Sequence, residues 1–397
     1  MGAHPLNPAI RLLDGDFYAA DPYTHFTWMR EHAPVYRDPT CDVWGVARYA
    51  DVLHVSRHPE LFCSGQSSRP DAPAIPSMIN MDDPAHLRRR SLVNRGFTPR
   101  RVADHEPKIR EICTQLVDRV AARGACDFVR EVAAPLPMIV IGDLLGVAPE
   151  DRDDLLRWSD DLIAATNATA SPAVAMRAAA AFEEYAAYHR AVVADRRAHP
   201  RDDLMSVLVH AEIDGQRLDD EALLHESLLI LVGGDETTRH VITGGMEQLI
   251  RHPDQRRKLA ASPEGIPTAI EEMLRWVTPI QNMNRTATAD VELGGETIHA
   301  GDKVLLLYPS ANRDPRQFAE PDTFDVERRP NEHVAFGFGA HFCLGASLAR
   351  LELRVLFEEL LRRLPDVELA TDEPLPRRPS NFIVGIEHMP IVFTPCA

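Results

Sequence analysis

Residues 336–345 read Phe336-Gly337-Phe338-Gly339-Ala340-His341-Phe342-Cys343-Leu344-Gly345, and the periodic stretch ASLARLELRVLFEELLRRLP follows at once. One cysteine therefore stands in a glycine-crowded loop just ahead of a helix. At a helix N-terminus the dipole and the free N–H groups favour a thiolate. Gly339 and Gly345 let the backbone approach something flat and bulky. Sulfur, glycines and helix start together suit a thiolate ligand to a haem iron. An isolated free cysteine is usually buried and inert. Four fixed positions, Phe336, Gly339, Cys343 and Gly345, argue against that reading here.

Outward from the loop, helical periodicity dominates. Apolar residues recur at helical spacing over 101–124, 149–166, 174–198, 219–251, 264–276 and 346–364. In the last of these, Leu348, Leu351, Val355, Leu356 and Leu360 share one face. Short strand-like runs lie near 34–37, 43–47, 290–298, 303–308 and 391–394. The expected class is mostly α with minor β. No linker, charge block or repeat divides the chain, so one large domain over 1–397 is expected. The polar, proline-rich 311–335 is long for an irregular segment and leads straight into the cysteine loop.

The chain has 397 residues, 45% hydrophobic and 26% charged, which is globular composition. A net charge of −17 argues against nucleic acid or an anionic membrane as partner. Six scattered cysteines without a CxxC pair fit a reducing compartment rather than a disulfide framework. The first residues hold no long apolar run, so neither a signal peptide nor a membrane anchor is expected, and a cytoplasmic location follows.

The stretch DDEALLHESLLILVGGDETTRHVITGGMEQLIR, 219–251, is the longest helical pattern, with Asp219 or Asp220 placed to cap it. Gly233 and Gly234 fall in its middle, each weakening it by about 1 kcal/mol against alanine. Close helix packing is one explanation. Glu236 and Thr237, an acid beside a hydroxyl just past the weak point, suggest another. Asp235 points about 100° away from Glu236 and reads as a surface partner of Arg239 at i+4.

These motifs resemble the cytochrome P450 monooxygenases over nearly the whole chain and in the family's order. By that resemblance Cys343 is the axial ligand of haem b, and Phe336, Gly337, His341 and Gly345 are its neighbours in the loop. His86 and Arg90, at i and i+4 of a helical stretch, with Arg285 and His341, match the cations that meet the two haem propionates. Gly233 lies at the oxygen-binding kink. Thr237 organises water beside O2, and Glu236 relays protons. Glu272 and Arg275, with Arg275 preceding Cys343 by 68 residues, match a structural ion pair.

The same resemblance implies electrons from NAD(P)H through a ferredoxin reductase and a ferredoxin. By charge alone, Arg88, Arg89, Arg95, Arg100, Arg101, Arg350 and Arg354 form either a basic patch that steers an acidic redox partner or a mixed solvated surface. Pocket walls are expected from Met78, Ile79, Leu229, Val232, Ile280, Met283 and Phe382, which are apolar and suit a large hydrophobic substrate. DPAHLRRRSLVNRGFTPRRV, DFVREVAAPLPMIVIGDLLGV, LLILVGGDETTRH and AFGFGAHFCLG are similar to the actinobacterial subgroup that oxidises the side chain of cholesterol and cholest-4-en-3-one. That implies hydroxylation of a terminal methyl of a steroid. Tailoring of a macrolide, polyketide or other natural product is the rival within the family. A non-catalytic haem-thiolate sensor fits less well, because it needs no Glu236–Thr237 pair. A cysteine hydrolase built on Cys343 and His341 lacks a recognisable triad order.

Overall fold

The computed structural model describes residues 4–165 and 171–396. Helices form most of it, and one helix, Asp220–Arg251, runs through the middle. Asp219 is its cap, accepting from the Ala222 N–H at 2.8 Å. The helix is buried along most of its length and packs on Pro135–Leu145, Ile266–Val277 and the post-cysteine helix Ala346–Arg363. The two mid-helix glycines have different causes. A Cβ on Gly234 would stand 2.5 Å from Ile141 Cδ1, so close packing explains it. A Cβ on Gly233 would meet nothing within 4 Å, because that glycine opens onto a cavity.

A five-stranded sheet stands beside the helical body, in the order Val35–Asp38, Val43–Val46, Lys303–Leu307, Asn282–Ala287, Phe62–Cys63. Only the Val43–Val46 and Lys303–Leu307 pair is parallel. In Asn282–Ala287 the two-residue period puts Met283 and Arg285 on one face and Asn282 and Asn284 on the other. The asparagines bond to Tyr18, Asn381 and Ser67, which fixes which face is presented to the cavity.

Several sequence expectations are redrawn. The run 101–124 is two helices, Pro99–Asp104 and Glu106–Ala121, broken at His105, with Pro107 in the first turn of the second. The run 290–298 is a hairpin, Val291–Leu293 and Glu296–Ile298, turned by Gly294 and Gly295 at positive φ. Pro135–Leu145 is a helix that periodicity did not flag, because it is apolar all round and has no stripe to detect. The last residue of the 149–166 run lies outside the described residues. All six cysteines are free thiols. Among the described residues, no helix is long and apolar enough to cross a membrane.

Candidate active site

The central helix, the cysteine loop, the helix Ala85–Val93 and the strand Asn282–Ala287 enclose one cavity. It holds about 1430 Å³ of space free of atoms, including its mouth. Cys343 opens onto it. The Cys343 N–H donates to Phe336 O at 2.9 Å, which closes the loop on itself. Gly337 and Gly339 take positive φ, and a Cβ on Gly339 would stand 2.5 Å from Ser56 O. The loop thus needs glycine there both for its turn and for its contact with the helix Tyr49–Arg57.

The thiol is pulled two ways. Surrounding protein raises its pKa by desolvation, while the N–H groups of Gly345 and Ala346 and the charges of Arg90 and Arg350 lower it. Desolvation is the largest of these, so the thiol stands above its ordinary value. The helix-terminus argument for a free thiolate is right in sign and too small in size.

Four positive or donor groups meet beside the cysteine. His86 and Arg90 share a face of Ala85–Val93, Arg285 comes from the strand, and His341 from the loop; all line the cavity. The His86 and His341 rings lie 4.1 Å apart. Arg90 donates to Phe342 O and Arg285 to Asn284 O. Among the described residues neither guanidinium pairs with a carboxylate. His86 Nε2 is buried without a partner. Burial, with Arg285, His86 and Arg90 nearby, pushes His341 down to about 3. A cluster of donors with an orphaned nitrogen, next to an open sulfur, fits a flat metal group carrying two carboxylates.

On the central helix Leu229, Ile230, Gly233, Gly234, Thr237, Thr238 and Val241 line the cavity. Thr237 Oγ1 donates to Gly233 O at 2.7 Å. Met78, Ile79, Ile280 and Met283 also line it. Val232 and Phe382 do not. At 100° per residue, Val232 lies about 150° from the middle of the lining stripe. Counting back from Thr237 by three, four, seven and eight finds Gly234, Gly233, Ile230 and Leu229, which excludes Val232 from sequence alone. Phe382 instead lies under Arg69, 4.5 Å from guanidinium carbon to ring centre.

Asp235 is not a surface partner of Arg239. It is fully buried, bonded to Ser159 Oγ at 3.2 Å, and its carboxyl is pushed up to about 8 by desolvation and by Glu236. Arg239 pairs closely with Glu236 instead. Arg378 Nη1 also donates to Glu236, at 2.7 Å, and His240 Nε2 stands 3.4 Å away. Burial opposes the Glu236 charge, yet Arg239, His240 and Arg378 outweigh it and hold the carboxyl well below its usual range. Glu236 sits behind the cavity wall rather than on it. Arg378 comes from a distant, unmotifed stretch and carried no signal in the sequence.

The expected basic patch is smaller than its sequence suggests. Arg350 is clamped by Glu271 through two 2.7 Å bonds, Arg354 by Glu106 and Glu358, Arg89 by Glu226, and Arg101 stands 3.6 Å from Asp202. Arg88, Arg95 and Arg100 remain exposed.

Residues 266–392 match the family model described as Cytochrome P450. The chain is 53% identical over 390 residues to a steroid C26-monooxygenase of Mycobacterium tuberculosis, covering 98% of each protein. It is 40% identical to a methyl-branched lipid omega-hydroxylase of Mycobacterium bovis, covering 97% of this chain and 95% of the other. Among solved structures, cytochrome P450 CYP109Q5 of Chondromyces apiculatus is 37% identical, with a TM-score of 0.89 over 98% of both chains.

Proposed function

The chain belongs to the cytochrome P450 family and is a monooxygenase, and from that premise we propose that it hydroxylates a terminal side-chain methyl of a steroid such as cholest-4-en-3-one. The observation that carries the reading is that Cys343 and Thr237 line one apolar cavity. Identity of 53% to a steroid C26-monooxygenase over 98% of the chain supports the substrate class. We take residues 1–397 as one domain in the cytoplasm, fed by a ferredoxin and its reductase with electrons from NAD(P)H. Arg88, Arg95 and Arg100 are the cations free to meet an acidic carrier.

Cys343 would hold the haem iron, and His86, Arg90, Arg285 and His341 its two carboxylates. Bound there, haem supplies the oxygen activation that a protein side chain cannot. The residues of the chain do the rest. The open face at Gly233 leaves room for O2 and water. Thr237 Oγ1, released from Gly233 O, orders that water. Glu236 is ionised and pinned, so its carboxylate takes up a proton only as it swings off Arg239 and Arg378. Met78, Ile79, Leu229, Ile280 and Met283 exclude water and align the alkyl end of the substrate.

Titrating the haem-loaded protein with cholest-4-en-3-one should shift the spin state of the haem, and turnover should give the terminal alcohol. A shift with branched-chain lipids or macrolides alone would overturn the steroid assignment. The relay is tested separately. Thr237→Ala removes the hydroxyl together with one methyl group at the cavity surface, so electron consumption should continue while product per electron falls about tenfold or more. Unchanged coupling would remove Thr237 from this role.

A further inference from the structure

We infer that Glu226 is a positioning residue that sets the Met78–Ile79 wall of the substrate cavity. The proposal rests on the cavity being the substrate site, not on the substrate being a steroid. Glu226 lies on the central helix, one turn before the lining residues Leu229 and Ile230. Its side chain is fully buried, an expensive place for a carboxylate without a purpose. Glu226 Oε1 accepts the Met78 N–H at 2.8 Å and stands 3.2 Å from Arg89 Nη1. One oxygen thus joins three cavity walls: the central helix, the short turn Met78–Asn80, and the helix Ala85–Val93 that carries His86 and Arg90. Glu226 Oε2 is buried with no partner.

The Met78–Asn80 turn otherwise bonds within its own segment. Asn80 Oδ1 accepts from Ser68 N and Asn80 Nδ2 donates to Ile75 O; Asp82 accepts from Ser64 N and Gly65 N. Between them, 70–76 is largely exposed and lacks regular structure. The upstream limb is fixed to the sheet, where Ser68 O accepts from Asn284 N, Ser67 O accepts from Asn284 Nδ2 and Arg69 Nη1 donates to Asn282 Oδ1, so the Glu226 contact is what ties the Met78 end to the central helix. Met78 and Ile79 then contact substrate at a distance that Glu226 sets. Affinity and selection among hydrophobic ligands should depend on it, while chemistry on a bound ligand should not.

The test compares Glu226→Gln, which keeps an acceptor at the same reach, with the similarly sized Glu226→Leu, which has none. Amide hydrogen exchange at Met78 is followed in the haem-loaded, ligand-free protein. Glu226→Leu should speed it about tenfold or more, and Glu226→Gln should stay near wild type. With cholest-4-en-3-one, the spin-shift Kd should weaken about tenfold in Glu226→Leu and be rescued in Glu226→Gln, with kcat at saturation little changed in either. If Glu226→Leu does not fold, Glu226→Asp, one methylene too short to reach Met78, reads the same contact. Wild-type exchange and affinity in the variant lacking the contact would overturn the proposal. So would equal damage in Glu226→Gln, or a loss confined to kcat. If the wild-type protein ignores the sterol, the steroid reading falls alone, because the exchange experiment needs no ligand.

Discussion

Cys343→Ser should abolish the strongly red-shifted Soret band of the reduced, carbon monoxide-bound protein and reduce hydroxylation to background. The alcohol of serine does not ionise beside a metal as a thiol does, so the anionic sulfur is lost along with its electron donation toward bound oxygen. No other cysteine can substitute. Cys41, Cys63, Cys113, Cys126 and Cys396 lie off the cavity wall. The fold should survive, because Cys343 faces open space and its replacement leaves no packing void; the change in stability should be within about 0.5 kcal/mol. A Cys343→Ser protein that keeps the red-shifted band would refute the ligand assignment outright. A protein that loses the band but unfolds would point to a structural thiol, so melting is measured alongside.

What could be read in the chain follows from how local each signal is. The Phe336–Gly345 loop, the His86 and Arg90 spacing and the Thr237 stripe are set by neighbours within a turn or two, and all reach the cavity. The apolar helix Pro135–Leu145 was invisible because burial on every side erases periodicity. Asp235 departs from the i, i+4 expectation for a related reason. An i, i+4 pairing rule ranks partners on one helix, but Arg239 chose Glu236 at i−3 and Asp160 from another helix, while Ser159 supplied Asp235. Arg378 and Glu226 act across more than a hundred residues of sequence, on Glu236 and on Met78. No pattern in a single chain encodes such a contact. The basic patch is smaller for the same reason: Glu271, Glu106 and Glu226, distant in sequence, pair with Arg350, Arg354 and Arg89.

Arg275→Met should destabilise the protein by about 3–5 kcal/mol, because the buried Glu272 keeps only Arg328 as a cation and three buried carbonyls lose their donor. Both Arg275 and Glu272 have fully buried side chains, joined by two 2.7 Å bonds. The rest of the guanidinium is committed to the irregular segment. It donates to Asn312 O, Pro321 O and Thr323 O, while Glu272 accepts from Asp325 N, Arg328 Nε and Asn331 Nδ2. A long segment without strands or helices has buried carbonyls that its own backbone does not satisfy, and this pair satisfies them. The effect travels to the cysteine. Asn312 Oδ1 accepts the Val334 N–H at 2.8 Å, and Val334 O accepts the Gly337 N–H at 2.9 Å, at the start of the loop. Loss of Arg275 should therefore loosen haem retention as well as stability, read by denaturant unfolding and by haem absorbance through the transition. Arg275→Lys should not rescue it, since one ammonium cannot span a carboxylate and three carbonyls. The double variant Glu272→Gln with Arg275→Met should lose clearly less than the sum of the single losses, because both single variants remove the same pair. A single-variant loss under about 1 kcal/mol would mean that the segment holds its shape without the pair, and the cysteine loop would need another support.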